Sequence, residues 1–299
     1  MKRYLFRLLF CCVYCLFLNL ALSGQDRFAG VEIKAEKLTD QMYVLFGSGG
    51  NIGVLVGDDG VIMIDDQFAP LSDKIAKAIA KISDKPIKYL INTHWHGDHA
   101  GGNENFANKG ATILAQKNVR KRMSEGMTRS PERVIAPAPD IALPVLTFST
   151  ELSLHLNGED IMAFHVHNAH TDGDAQIFFP KNNVLHMGDT YFNGRWPFID
   201  LQSGGSIDGY IKALNHALFL VDEDTQIIPG HGKMSNRKEL IAYRETLSTV
   251  RARVKKALAD GEDIEAIKLG NHLKEWEDYG SGFINNERFI EILVKSLSQ

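Results

Sequence analysis

Between residues 94 and 99 the chain reads His94-Trp95-His96-Gly97-Asp98-His99, so four side chains able to ligate a metal fall within six positions. Imidazole and carboxylate are the donors preferred by zinc and related first-row ions. Spacing of two puts His94 and His96 on the same side of a turn, and Asp98 and His99 come round on the next bend. Gly97, Gly101 and Gly102 let the backbone turn tightly and approach an ion. The run follows an apolar strand at 87–92. Three more candidates stand in the same kind of place: His170 in Ala169-His170-Thr171-Asp172-Gly173-Asp174, Asp189 in His186-Met187-Gly188-Asp189-Thr190, and His231 in Pro229-Gly230-His231-Gly232. Each follows an apolar strand and precedes turn residues. Side chains so placed project from one edge of a sheet sandwich, and a fold that uses them together must bring those strand ends to one rim.

The surrounding pattern supplies such sheets. Short apolar or alternating runs at 31–37, 42–46, 52–57 and 61–65 are separated by turn residues, with Asp59-Gly60 suited to a hairpin. Leu71, Ile75, Ala78, Ile79 and Ile82 recur at helical spacing and predict a helix over 71–83. Helices over about 102–107 and 116–125 then flank a strand near 111–115. Residues 126–144 hold four of the nine prolines and no clear period. They read as a long surface loop, either a cover over a site or a plain linker. Strands resume at about 145–148, 151–156, 160–167, 174–180 and 183–188. A helix fits 207–220 behind Ser206, a strand 225–228, and a long helix begins after the capping pair Asn236 and Glu239. Short helices near 262–269 and 286–297 close the chain. Two β-rich halves, each with helices outside, imply an α/β fold with four layers, an αββα sandwich.

In order and approximate spacing, the His-x-His-x-Asp-His run and the three later turns resemble those of the metallo-β-lactamase-fold hydrolase superfamily. The strands Asn51-Ile52-Gly53 and Ile64-Asp65 are similar to its first sheet. The resemblance covers about residues 31–233. It implies that His94, His96 and His170 hold one ion, that Asp98, His99 and His231 hold a second, that Asp189 bridges the two, and that Asp65 supports the metal loop, although Asp65 or Asp66 could equally be a strand-end cap. Seven ligands exceed what one tetrahedral zinc takes. Two Zn2+ ions are therefore expected, with iron or manganese as alternatives. The expected chemistry is attack of a bridging hydroxide on a polarised carbonyl, with Asp98 as the catalytic residue that orients the nucleophile. The resemblance further implies that Asp189 favours an ester, thioester or lactone hydrolase over a β-lactamase, because thioesterases and lactonases of the superfamily tend to carry that bridging carboxylate. A non-catalytic periplasmic metal-binding accessory protein is the alternative of another class.

Beside Asp189 runs Tyr191-Phe192-Asn193-Gly194-Arg195-Trp196-Pro197-Phe198. Tyr191, Phe192, Arg195, Trp196 and Phe198 are expected to form part of a pocket wall, with Arg195 pairing an anionic small-molecule substrate. The alternative is that Trp196 and Phe198 pack the core and Arg195 caps a carbonyl. The remaining histidines, His155, His165, His167, His186, His216 and His272, lack supporting neighbours, although His165 and His167 share one strand face near His170.

Of the 299 residues, 33 are Lys or Arg and 37 are Asp or Glu, a formal net charge of −4. That balance disfavours nucleic acid as partner, since no net positive field exists to release counterions. The start, Met1-Lys2-Arg3-Tyr4-Leu5-Phe6-Arg7, carries three cations and no acid, an apolar run fills 8–22, and Ala21-Leu22-Ser23 offers small residues for cleavage. These are the parts of a secretory signal peptide over residues 1–23. The run is shorter than the roughly 20 residues that span a bilayer, so no stable membrane anchor is expected after cleavage. All three cysteines, Cys11, Cys12 and Cys15, fall inside it. The expected mature protein, residues 24–299, is one hydrolase domain with C-terminal helices from about 236. It is acidic, free of cysteine, and periplasmic or secreted.

Overall fold

The structure, a computed structural model, describes residues 27–298; the signal peptide expected at 1–23 lies outside the described residues. Six strands come first: β1 Lys34–Lys37, β2 Met42–Phe46, β3 Ile52–Leu55, β4 Val61–Ile64, β5 Ile87–Asn92 and β6 Thr112–Gln116. A hairpin of β7 Met127–Ser130 and β8 Arg133–Ile135 follows, then β9 Leu146–Phe148. The second half contributes β10 Glu151–Leu156, β11 Glu159–His165, β12 Ala175–Phe179, β13 Val184–Phe192 and β14 Gln226–His231. The first sheet has the order β1-β2-β3-β4-β5-β6-β9, and the second β10-β11-β12-β13-β14.

Side-chain alternation decides how the sheets stack. In β4, Ile62 and Ile64 face the second sheet, while Val61 and Met63 face helices. In β5, Ile91 points inward and Leu90 outward. The second sheet repeats the pattern, with Val184 and Ile228 inward and Leu185, Met187 and Ile227 outward. Period-two alternation with both faces apolar requires a cover on each outer face. Helix Ser72–Ala80 sets Ile75 and Ile79 on the outside of the first sheet, together with Phe106 from helix Asn103–Asn108. Helices Ile207–Leu220, Arg237–Ala259 and Asn286–Leu297 cover the second through Tyr210, Leu214, Tyr243, Leu247, Phe289 and Leu293. The result is the expected αββα sandwich.

The parallel parts of the sheets build the rim. Ile64 pairs with Ile91 and Asn92 with Ala115, so β4, β5 and β6 end side by side. In the other sheet β13 and β14 run parallel, Leu185 opposite Ile227. Capping fixes where the helices start: Ser206 accepts from the Gly209 amide, and Asn236 from that of Glu239. One expectation needs correction. The segment 126–144 is not a plain loop, because it contains the β7–β8 hairpin and a 3-10 turn at Asp140–Ala142. A 3-10 stretch at Lys274–Ser281, which no periodicity announced, precedes the last helix.

Candidate metal centre

The seven residues singled out in the sequence meet at that rim. His94 and His96 follow β5, and Asp98 and His99 lie in the single helical turn Gly97–Ala100. His170 sits in the connection between β11 and β12, Asp189 inside β13, and His231 at the last position of β14. Strand β13 departs from regular register between His186 and Gly188, and again before Phe192. Gly188 there has φ +49°, in the left-handed region that favours glycine.

The donors sort into two groups, His94, His96, His170 and Asp189 in one, Asp98, His99 and His231 in the other. Asp189 faces both. Its Oδ2 is 3.5 Å from His170 Nε2 and 3.8 Å from His94 Nε2, while its Oδ1 is 3.0 Å from His99 Nε2 and 3.3 Å from His231 Nε2. Asp98 Oδ2 lies 3.3 Å from His231 Nε2. A Cβ at Gly230 would stand 2.1 Å from Asp189 Oδ1, so only glycine leaves room for this carboxylate.

Four of the five rings, those of His94, His96, His99 and His170, are held by one nitrogen and present the other inward. A carbonyl or carboxylate can only accept, so the nitrogen facing it carries the proton. His170 Nδ1 donates to the Phe198 carbonyl at 2.6 Å, and His99 Nδ1 to Asp65 Oδ2 at 2.7 Å. Thr93 Oγ1 donates to Asp65 Oδ2 at 2.7 Å and so can accept from His94 Nδ1 at 3.1 Å. His96 Nε2 donates to Asp200 Oδ2 at 2.9 Å. The inward nitrogens meet: His96 Nδ1 is 2.9 Å from His170 Nε2, and His99 Nε2 is 3.3 Å from His231 Nε2, and once deprotonated they would offer lone pairs to a metal. Two nitrogens on a tetrahedral zinc, each at about 2.0–2.1 Å, lie roughly 3.3 Å apart. His94 Nε2 and Asp189 Oδ1 are buried without a hydrogen-bond partner. Orphaned buried acceptors are costly unless something satisfies them, and a bound cation would do so. The residues present fit divalent ions.

The electrostatics agree. Burial drives His94 well below the usual imidazole range. Burial opposes charge on His99 too, but Asp189, Asp98 and Asp65 outweigh it and hold the ring protonated well above that range. His231 is pushed up to about 9, against burial, mainly by Asp189. Asp189 is itself held well below the usual carboxylate range, despite burial, by His99 and His231. Protons on His99 and His231 thus occupy the electrostatic place of a metal.

The family model of the metallo-β-lactamase superfamily matches residues 45–233. The chain belongs to the metallo-β-lactamase superfamily. It is 27% identical over 245 residues to the 2,4-dinitroanisole O-demethylase subunit alpha of Nocardioides sp. strain JS1661, covering 80% of this chain and 70% of that one. It is 28% identical over 181 residues to the hydroxyacylglutathione hydrolase of Nitrosococcus oceani, covering 59% and 60%. The solved metallo-β-lactamase from Pontibacter korlensis superposes with a TM-score of 0.62 at 15% identity, over 73% of this chain and 99% of that one. As a member of the superfamily the chain is a metal-binding hydrolase.

In this superfamily member Asp65 contacts the metal loop directly. Its φ of +62°, tolerated by aspartate, aims both oxygens at residue 93 and His99, with the Thr93 amide 2.7 Å from Oδ1. The aromatic run after Asp189 divides. Phe192 stacks on His231, centroids 5.1 Å apart, and Phe198 lies 5.9 Å from His96 and 5.8 Å from His170. Tyr191 and Trp196, expected on the pocket wall, face the helical layer instead. Tyr191 is bonded to Ser235, and Trp196 is stacked on Phe289 with its indole N–H on Asn286. Arg195 is half-buried, its stem against Gly282. His165 and His167 pair with each other, centroids 4.2 Å apart, and His165 is bonded to the Asp174 carbonyl.

Two residues of the site went unrecognised in the sequence. Buried Asp200 accepts from His96, from Ser203 Oγ at 2.6 Å, and from Arg129 Nη2 at 2.5 Å and Nη1 at 3.1 Å. Arg129 belongs to β7 and lies over Trp95, its Cζ 5.5 Å from the ring. The hairpin in 126–144 thereby reaches the centre. Burial resists the charge on Asp200, but His96 and Arg129 hold it far below the usual carboxylate range.

Proposed function

We propose that the chain is an exported hydrolase holding two zinc ions and cleaving an ester, thioester or lactone-type carbonyl. The observation that carries this reading is Asp189, whose two oxygens are turned to separate donor groups. A pair of divalent ions supplies a water of lowered pKa and a Lewis acid for the carbonyl. The chain's own residues do the rest. Asp98, 28% exposed on its side chain, is the acid open to solvent; it orients the attacking water and holds its proton. Asp65, Asp200, Thr93 and the Phe198 carbonyl lock the rings, so no reorganisation is needed when charge develops. Phe192 and Phe198 shield the flanks from water. Likeness to a hydroxyacylglutathione hydrolase supports a thioester, and likeness to a 2,4-dinitroanisole O-demethylase adds aryl ethers to the compounds worth testing.

The test is metal analysis of the purified protein, followed by assay on esters, thioesters, lactones, aryl methyl ethers, phosphoesters and a chromogenic β-lactam. Two equivalents of zinc, with carbonyl-ester turnover lost to chelator and restored by zinc, are expected. One equivalent at saturation removes the binuclear reading. Preference for the β-lactam makes the protein a lactamase. Silence on every compound with two ions bound makes it an accessory protein. Export is tested by sequencing the N-terminus of secreted or periplasmic protein, expected at Gly24; retention of Met1 contradicts it.

A further inference from the structure

We propose that Phe198, Phe283 and Arg288 form a substrate subsite beside the metal centre, suited to a substrate with an apolar body and an anionic far end. This rests on the hydrolase reading above and deepens it. Phe198 is the pivot. One side meets the rings of His96 and His170, and on the other Phe283 lies edge-on, centroids 6.2 Å apart. Phe283 is 71% exposed, a large apolar ring left in water next to the catalytic rim. Over both rings sits one guanidinium, Arg288 Cζ being 4.8 Å from the Phe283 centroid and 5.6 Å from that of Phe198.

The cation is available. Glu291, one turn further along the helix, is engaged by Lys268 at 2.7 Å. Arg129, another cation at the rim, is committed to Asp200. A guanidinium stacked on aromatic faces keeps its planar N–H edge free for a carboxylate or phosphate. The metal-binding groups read the reacting carbonyl, the two phenyl rings take the apolar body, and Arg288 takes the charge beyond it.

The subsite is held rigidly. Trp196 stacks on Phe289 at 4.4 Å, its indole N–H donates to Asn286 Oδ1 at 2.5 Å, and its amide donates to the Tyr279 carbonyl at 3.1 Å. These bonds fasten the segment that carries Phe283 and Arg288 to the one that carries Phe198. A preformed subsite spends little ordering entropy on binding.

The experiment compares metal-loaded wild type, Arg288→Gln and Phe283→Ala on two esters differing only in the far end: mono-para-nitrophenyl adipate, with a free carboxylate, and its methyl ester. The reading is the ratio of kcat/KM for the charged ester to that for the neutral one. Arg288→Gln should lower this ratio about fivefold, through KM rather than kcat, as expected for one partly exposed ion pair. Phe283→Ala should raise KM for both. Metal content is measured on each variant. An unchanged ratio in Arg288→Gln with normal metal content overturns the subsite, because structural damage would depress both esters alike. If wild type cleaves neither ester, the ester-hydrolase reading fails separately. Calorimetric binding of adipate monoanilide, the amide analogue, then judges the subsite: weaker binding to Arg288→Gln than to wild type supports it, and equal binding overturns it.

Discussion

Replacing Asp200 with asparagine isolates the outer support of the metal centre. The carboxylate is buried, and five donors converge on it: His96 Nε2, Ser203 Oγ, the Ser203 amide and two nitrogens of Arg129. Asparagine preserves the shape but turns one oxygen into an N–H2 group and removes the charge. Oriented to serve His96 with its oxygen, it presents the N–H2 group to Arg129 Nη1. Two losses follow. The buried guanidinium loses its counter-charge, and breaking such a pair costs about 3–5 kcal/mol of stability. His96 keeps a hydrogen bond, but to a neutral acceptor, so the ring is less basic and less firmly fixed at Nδ1. Loss of such an outer partner typically lowers metal affinity about 10–100-fold. That is roughly 1.4–2.8 kcal/mol at about 1.4 kcal/mol per tenfold. The assay is zinc titration against a competing chromophoric chelator, with the absorption spectrum of the cobalt-substituted protein reporting ligand geometry. Arg129→Gln is the companion variant; it keeps the carboxylate on His96 and should cost stability with a smaller loss of affinity. Asp200→Asn binding zinc within twofold of wild type, with the same cobalt spectrum, refutes the assignment.

Gly230→Ala should reduce metal content by crowding Asp189, whose Oδ1 would meet the new methyl at 2.1 Å; a fully loaded variant would contradict the packing. Trp196→Ala should destabilise the fold by about 3–5 kcal/mol and lower Tm by roughly 10 °C, with KM little changed in the surviving protein. A normal Tm with a raised KM would return Trp196 to the pocket wall. Chelation should lower Tm by several degrees and re-addition of zinc restore it, since ions bound only by the native state contribute about 2.7 kcal/mol at a concentration of 100 Kd. Scanning calorimetry with and without chelator checks this, and coincident transitions would show that the ions contribute nothing to folding.

Elements whose cause is local could be read from the chain directly. Helix Ile207–Leu220 begins after Ser206 because that hydroxyl caps it, and helix Arg237–Ala259 after Asn236 for the same reason. The metal donors were readable because imidazoles and carboxylates clustered at strand ends are chemically unusual. What escaped depends on distant pairing. Arg129 and Asp200 stand 71 positions apart, each unremarkable in its own stretch. Strand β13 is buried at all nine positions, so no alternation of polarity told which aromatics faced the rim. Phe192 therefore lies with His231 while its neighbour Tyr191 turns to the helices, a difference that only the pleat reveals. The hairpin of 126–144 was hidden for a similar reason: its strands are short and buried at no position, with no core face to leave a period.

The donors come from both sheets: His94, His96, Asp98 and His99 follow the first, whereas His170, Asp189 and His231 belong to the second. From residue 27 onward the chain has no cysteine, and so no covalent tie between its halves. Ions gripped from both sides would act as the missing cross-link, clamping the two leaves of the sandwich at the edge where the reaction takes place. The same act that arms the enzyme would also finish its assembly, and a copy starved of metal would be both inactive and easier for a protease to open.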